Sequence, residues 1–238
     1  MRTVAVVLAG GSGLRLGGAV PKQLQLLAGR TLLEHSVAAF DTAPGIDEVI
    51  VVLPADFVPD GEQLLGGGRY RKLTRVIPGG ADRPGSTRCA IELLSATSPE
   101  CNVLFHDAAR PLVDQRIIAE CVAGLRDCEA LGVVVPTADT IVHLTDGVMT
   151  SIPPRESLGR CQTPQGFRLS VIRRAHERAV ADPAFAPTDD CGIVLRYLPD
   201  VEVRTVRGDE RNLKITYPAD LRIAESYLAG VSGQRGAR

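Results

Sequence analysis

Residues 3–24, TVAVVLAGGSGLRLGGAVPKQL, join an unbroken apolar, β-branched run to a loop of small residues that carries an arginine and a Pro-Lys pair. An apolar run without polar alternation, TVAVVLA at 3–9, reads as a strand buried on both faces, and such strands belong to parallel sheets. Glycines directly behind it let the backbone bring its N–H groups close to an anion at the carboxyl edge, where open α/β sheets bind their ligands. The single arginine and short apolar run at the N-terminus therefore read as this strand and not as a signal peptide.

Working outward, EVIVVLP at 48–54, TRVIP at 74–78, NVLFHD at 102–107 and GVVVPT at 132–137 repeat the buried-strand signature. Helical spacing lies between them, with Leu33, Val37 and Phe40 on one face and Ile117, Ile118, Cys121, Val122 and Leu125 following Asp114. The alternation predicts an α/β fold: a mainly parallel, Rossmann-like sheet with helices on both faces. After Pro136 the pattern changes. TIVHLTDGVMTSIP at 140–153 sets Asp146-Gly147 between two β-prone runs, a hairpin signal, and predicts an inserted β-hairpin arm over 137–164. A helix over RLSVIRRAHERAVAD, two late strands at VEVRTVRG and NLKIT, and a last helix from Pro218 with Leu221, Ala224 and Leu228 inward complete the plan. Residues 1–230 are expected to form one domain and 231–238 a disordered tail.

A chain of 238 residues with 45% hydrophobic content can bury such a core. Its 27 Lys plus Arg against 28 Asp plus Glu give no general attraction to nucleic acid or an anionic membrane, so any phosphate binding must be local. No run reaches membrane-spanning length. The six cysteines show no C-x-x-C pair and no zinc-ligand spacing with histidine, which fits reduced thiols in a cytoplasmic protein.

The loop matches neither standard phosphate motif. A dinucleotide fingerprint needs glycine where Leu16 stands, and a P-loop needs G-K-[ST], which is absent. What remains is Gly10, Gly11 and Gly13 followed by Arg15 and Lys22, two cations suited to neutralise a polyphosphate and the charge that grows when a phosphoryl group is attacked. VIPGGADRPGSTRCAIELL offers a second loop with Gly79, Gly80, Arg83, Ser86 and Thr87, or simply a turn with Ser86 as helix N-cap. HDAARP puts Asp107 and Arg110 at the same edge, as a site or as a structural pair. His35, His106, His143 and His176 sit on separate elements and read as structural or surface residues.

LAGGSGLRLGGAVPKQ, PGGADRPGS, HDAARP, ADT, PRESLGRCQTPQGF, TDDCG and NLKIT occur in an order that resembles the 2-C-methyl-D-erythritol 4-phosphate cytidylyltransferases of the non-mevalonate isoprenoid pathway. The resemblance covers roughly residues 3–228 and implies transfer of CMP from CTP to methylerythritol phosphate. It implies that Ala9, Gly10, Gly11, Ser12, Gly13, Gly80, Arg83 and Ser86 bind CTP and that Arg15 and Lys22 stabilise charge at the α-phosphate. It further implies that Arg155 and Lys214 hold the acceptor phosphate and that Asp107, Arg110, Thr140 and Thr163 line the acceptor pocket. A divalent ion, usually magnesium, would bind with the CTP phosphates, with Asp107 as the candidate protein ligand. The active unit would be a homodimer in which each arm completes the other subunit's site. Two departures stand out: the loop reads AGG where two alanines are common, and Ala81 replaces an acidic residue. The first is shared with ribitol 5-phosphate cytidylyltransferases, which makes ribitol 5-phosphate the second candidate acceptor. A non-catalytic nucleotide-binding module is the alternative of another class, and Arg15, Lys22 and Lys214 together argue against it.

Overall fold

The computed structural model describes residues 1–10, 22–98, 100–182 and 187–235. β1 (Thr3–Leu8) lies at the centre of a sheet with β4 (Glu48–Leu53) and β6 (Asn102–Asp107) parallel to it on either side. β5 (Leu73–Pro78) adds in parallel beyond β4. On the other flank β10 (Gly159–Arg168) runs antiparallel to both β6 and β7 (Ala130–Pro136), and β11 (Val203–Arg207) closes that edge parallel to β7. Among the described residues the order is β11-β7-β10-β6-β1-β4-β5.

Side chains of β1 alternate between two cores, as the two-residue strand period requires. Ala5 and Val7 join Leu33, Val37 and Phe40 of α1 (Leu32–Asp41), Leu65 of α2 (Val58–Leu65) and Ile117, Ile118 and Cys121 of α4 (Gln115–Gly124). Val4 and Val6 join Ala90, Ile91 and Leu94 of α3 (Arg83–Thr97), Ile172 and Ala175 of α5 (Leu169–Val180) and Ile193 and Val194 of α6 (Asp190–Tyr197). Helices thus cover both faces, as expected. A short hairpin, β2 (Leu26–Leu27) with β3 (Arg30–Thr31), and α7 (Pro218–Arg235) bracket a third cluster of Leu27, Leu32, Ile215 and Ala224. The Asp146-Gly147 turn, with φ of 49° and 79°, joins β8 (His143–Thr145) to β9 (Val148–Ser151), so both turn residues take the positive φ of a tight hairpin.

Three expectations need correction. Residues 159–164, assigned to the arm, belong to β10 in the main sheet. NLKIT is no strand: Ile215 N–H donates to the Ala109 carbonyl at 2.8 Å, but the segment joins no sheet. Its two-residue alternation still governs which way its side chains go, with Leu213 and Ile215 packed in the third cluster and Asn212 and Lys214 turned to the sheet edge. The last helix continues through Arg235, into the segment expected to lack order, because extending a nucleated helix fixes little more per bond formed.

Phe105 on β6 is fully buried, its ring 6.3 Å from that of Phe167 on β10. Phe105→Ala is expected to cost about 3–5 kcal/mol in urea unfolding, the range for a truncated core aromatic. A loss below about 1 kcal/mol would mean that the β6–β10 pairing does not depend on this contact.

Candidate active site

The parallel strands end on one side, where Gly10, Gly80, Arg83, Ser86, Asp107, Arg110, Thr163 and Lys214 gather. Ala9 N–H bonds the Val52 carbonyl at 2.8 Å, so β1 stays paired to its last residue before Gly10. A Cβ on Gly10 would lie 2.8 Å from Ser86 Oγ and one on Gly79 2.7 Å from the same atom, so both glycines are required for the first and second loops to close on Ser86. A Cβ on Gly80 would lie 2.7 Å from the Gly85 carbonyl carbon, which brings the second loop against the start of α3. The N-cap of α3 is Asp82, not Ser86: Asp82 Oδ1 accepts from Gly85 N–H at 2.6 Å, and the Ser86 hydroxyl donates to the Asp82 carbonyl at 3.0 Å. Gly11, Ser12, Gly13 and Arg15 lie outside the described residues. Lys22 opens a 3-10 turn, Lys22–Leu24, directly after them.

Asp107, the last residue of β6, is the hub. Arg83 Nε donates to its Oδ1 at 3.1 Å and Lys214 Nζ to its Oδ2 at 2.7 Å. Burial alone would raise the Asp107 carboxyl; Arg83 and Lys214 outweigh it and hold the pKa far below the usual carboxylate range. Arg83 continues inward, its Nη1 donating at 2.8 Å to Asp190, the first residue of α6 and fully buried. Burial works against the Arg83 charge, but Asp190 and Asp107 keep its pKa above the ordinary value. Its Nη2 is buried without a hydrogen-bond partner. Lys214 is 44% exposed against 20% for Arg83, so Lys214 is the cation of this cluster nearer to solvent and to any ligand.

The QTPQ stretch of β10 is a set of crosslinks. Gln162 Nε2 donates to the Asp209 carbonyl at 2.9 Å, and Asn212 Nδ2 returns bonds to Gln162 Oε1 at 3.2 Å and the Thr163 carbonyl at 2.9 Å. Gln165 Oε1 accepts from the Asp190 and Cys191 N–H groups, satisfying donors at the start of α6, while its Nε2 donates to the cap residue Asp189 at 2.9 Å. Between them Thr163 Oγ1 accepts from Asp107 N–H at 3.1 Å and lies 3.0 Å from His106 Nδ1, whose Nε2 is 3.0 Å from the Arg110 carbonyl. A carbonyl only accepts, so Nε2 carries the ring proton and the Thr163 hydroxyl gives its own to Nδ1. Toward a ligand Thr163 can then only accept. Arg110 is buried, with Nη1 on the Asn212 carbonyl at 2.8 Å and Nη2 on the Cys161 carbonyl at 3.3 Å; it ties the 212–216 segment to β10.

Thr140 and Arg155 stand apart on the arm, joined by Arg155 Nη2 to Thr140 Oγ1 at 2.9 Å and exposed. Among the described residues neither bonds to the Asp107 cluster. As a metal ligand Asp107 does not fit: both oxygens carry cations, and no group of three His, Cys, Asp or Glu suited to a metal ion occurs among the described residues. The charge of any divalent ion would have to be met by the ligand itself. Sequence reasoning left Gln162, Gln165, Asp190 and Asn212 without roles, although all stand inside the quoted motifs.

The model of the 2-C-methyl-D-erythritol 4-phosphate cytidylyltransferase family matches residues 3–230. The chain belongs to this family. It is 51% identical over 232 residues to the 2-C-methyl-D-erythritol 4-phosphate cytidylyltransferase of Thermobifida fusca, covering 95% of this chain and 93% of that one. The Haemophilus influenzae bifunctional ribulose 5-phosphate reductase/CDP-ribitol pyrophosphorylase is 38% identical, and the match spans 95% of this chain but 48% of that protein. The crystal structure of 4-diphosphocytidyl-2C-methyl-D-erythritol synthase from Anaerococcus prevotii superposes with a TM-score of 0.83 at 28% identity, covering 96% and 98% of the two chains. The chain is an enzyme of the cytidylyltransferase class.

Burial pushes the His106 pKa down to about 4, against the pull of Asp107. A folded value below the unfolded one means that the unfolded ring takes up its proton first, so the neutral ring's contribution is full above about 6.5 and is lost as pH falls toward 4. His106→Gln, which keeps a donor and an acceptor, is expected to lose less stability than wild type between pH 7 and 4, by on the order of 3 kcal/mol in urea unfolding. Parallel pH curves for the two proteins would show that His106 titrates normally in the fold.

Proposed function

We propose that the chain performs its family's reaction in a site shared between two subunits. It transfers the CMP moiety of CTP to 2-C-methyl-D-erythritol 4-phosphate and yields 4-diphosphocytidyl-2-C-methyl-D-erythritol and pyrophosphate. An acceptor phosphate oxygen attacks the α-phosphorus, a new P–O bond forms, and the bond to the β-phosphate oxygen breaks. Two anions must meet for this, so cations on both sides lower the barrier. The observation that carries the reading is the Arg83–Asp107–Lys214 cluster at the end of β6, beside the loops that close on Ser86. Lys214 can turn from Asp107 to an acceptor phosphate while Arg83 keeps the carboxylate neutralised. Gly10, Gly80 and Ser86 face CTP in this reading, with Arg15 and Lys22 at its phosphates. Magnesium enters on the CTP phosphates as part of the nucleotide substrate. The proposed location is the cytoplasm, where the six cysteines remain free thiols. Among the described residues no helix is long and apolar enough to cross a membrane.

The arm supports the dimer. Ile141, Leu144, Val148, Met149 and Ile152 are 42–64% exposed on it, and a lone two-stranded hairpin is marginal in water. A two-fold partner would cover these residues and receive Arg155.

Turnover is expected to require CTP and to be at least roughly tenfold faster with methylerythritol phosphate than with ribitol 5-phosphate, a discrimination within reach of a few hydroxyl contacts. Pyrophosphate release measured with each acceptor decides it; the reverse preference would assign the ribitol reaction.

Lys22→Ala is expected to lower kcat by roughly 10²- to 10³-fold, as loss of one charge-stabilising donor does. Arg155→Ala should be similarly inactive. Mixing the two variants should restore up to roughly a quarter of wild-type activity, since about half of randomly exchanged dimers hold one intact arm facing one intact loop. If exchange is verified by mass and activity stays at the single-variant level, Arg155 serves its own chain.

A further inference from the structure

Two cysteines that the proposed reaction does not use converge beside the site. Cys161 lies on β10 and Cys191 is the second residue of α6, and their sulfurs share the space above Gly132 of β7. A Cβ on Gly132 would lie 3.0 Å from Cys191 Sγ and 3.9 Å from Cys161 Sγ, so any larger residue would crowd the pair. The Cys161 thiol donates to the Gln162 carbonyl at 3.6 Å. Gln165 Nε2 donates to Cys161 Sγ at 3.2 Å, and Cys191 Sγ lies 3.8 Å from the Leu131 carbonyl. Cys161 is exposed, whereas Cys191 is 6% exposed.

We propose that Cys161 and Cys191 form a peroxide-reactive thiol pair that closes to an intramolecular disulfide, with Cys161 as the attacking and Cys191 as the resolving thiol. Exposure gives Cys161 access to the oxidant, and the shared space above Gly132 sets Cys191 beside it. The neighbouring Cys191 thiol, opposed by burial, also draws the Cys161 thiol below its ordinary pKa, while Cys161 and burial push Cys191 well above. Three of the other thiols differ: burial pushes Cys101 up to about 11, and raises Cys121 and Cys128 as well.

The chemistry balances with hydrogen peroxide as the two-electron oxidant. The Cys161 thiolate attacks one peroxide oxygen, the O–O bond breaks, and the departing hydroxide takes up the Cys161 proton as water, leaving a sulfenic acid. Cys191 sulfur then attacks Cys161 sulfur, the S–O bond breaks, and hydroxide leaves with the Cys191 proton as a second water. Two thiols are oxidised to one disulfide while one peroxide is reduced to two waters. The new bond would tie β10 to α6 through residues adjacent to Gln162 and Asp190.

Full-length protein treated with hydrogen peroxide, denatured, and alkylated with N-ethylmaleimide tests this. The expected result is a species with four alkylated thiols instead of six, a 161–191 linked peptide after proteolysis, and recovery of six thiols with dithiothreitol. In Cys191→Ser, Cys161 should stall as a sulfenic acid that dimedone traps at least about tenfold faster than Cys128. A disulfide linking any other pair, or six free thiols under conditions that oxidise glutathione, would overturn the proposal on wild-type protein alone. Equal dimedone labelling of Cys161 and Cys128 in the variant would overturn the assignment of the attacking thiol.

Discussion

A carboxylate at the end of the central strand β6 holds the carboxyl edge of the sheet in register. Asp107 is buried, and a carboxylate in that position is tolerable only while its charge is met. Its two partners come from distant parts of the chain, Arg83 at the start of α3 and Lys214 in the 212–216 segment, so neither segment can drift without exposing the others to an uncompensated charge. Arg83 extends the constraint to Asp190 and therefore to α6. Buried ion pairs contribute little net stability compared with apolar packing. Here their consequence is geometric: three segments that apolar contacts would allow to slide are fixed relative to one carboxylate.

The antiparallel strand β10 completes this arrangement. It breaks the parallel order between β6 and β7, and its register shifts between Gln162 and Gln165, where Pro164 lies. A proline has no N–H for the ladder and is accommodated at such a shift. The irregularity turns Thr163 toward the end of β6 while the flanking glutamines reach opposite ways, Gln162 to the loop after β11 and Gln165 to α6. One short motif thereby connects both neighbours of the Asp107 cluster. Behind it His106 bonds the Arg110 carbonyl and Thr163, so a neutral ring orients the hydroxyl, while Arg110 Nη1 and Nη2 bond the Asn212 and Cys161 carbonyls.

Legibility followed from how local each signal was. The five apolar runs appear as β1, β4, β5, β6 and β7 because continuous β-branched sequence suits a strand covered on both faces. Asp146-Gly147 specified its hairpin through a positive φ at both positions. β10 was not legible as a strand, since Gln162, Thr163, Pro164 and Gln165 show neither alternation nor apolar continuity, and their burial is balanced by partners far along the chain. The reverse happened at NLKIT, where true alternation marks two environments without any neighbouring strand. Asp107 was legible at the edge beside Arg110, and Lys214 as a phosphate-holding cation only through resemblance; that Lys214 faces Asp107 and Arg83 faces Asp190 depends on contacts across 107 residues that no local pattern encodes. The close approach of Gly10 and Gly79 to Ser86, and of Gly80 to Gly85, is visible once the missing Cβ atoms are considered.

The site therefore has two parts built on different physics. Inside one chain, Arg83, Asp107, Asp190 and Lys214 are mutually neutralised and pinned, so this half is preorganised and needs no ligand to hold its shape. The arm half has the opposite character: among the described residues Arg155 bonds Thr140 of its own arm, and the apolar residues around it face outward. A guanidinium left exposed at the end of an apolar hairpin gains little by folding back on a cluster whose carboxylates already carry cations. It gains more where an unneutralised phosphate is presented, and the same apolar surface that is costly in water favours contact with another copy. Among the described residues the charge-locked interior and the exposed arm are thus separate, and the shared-site reading proposed above rests on that separation.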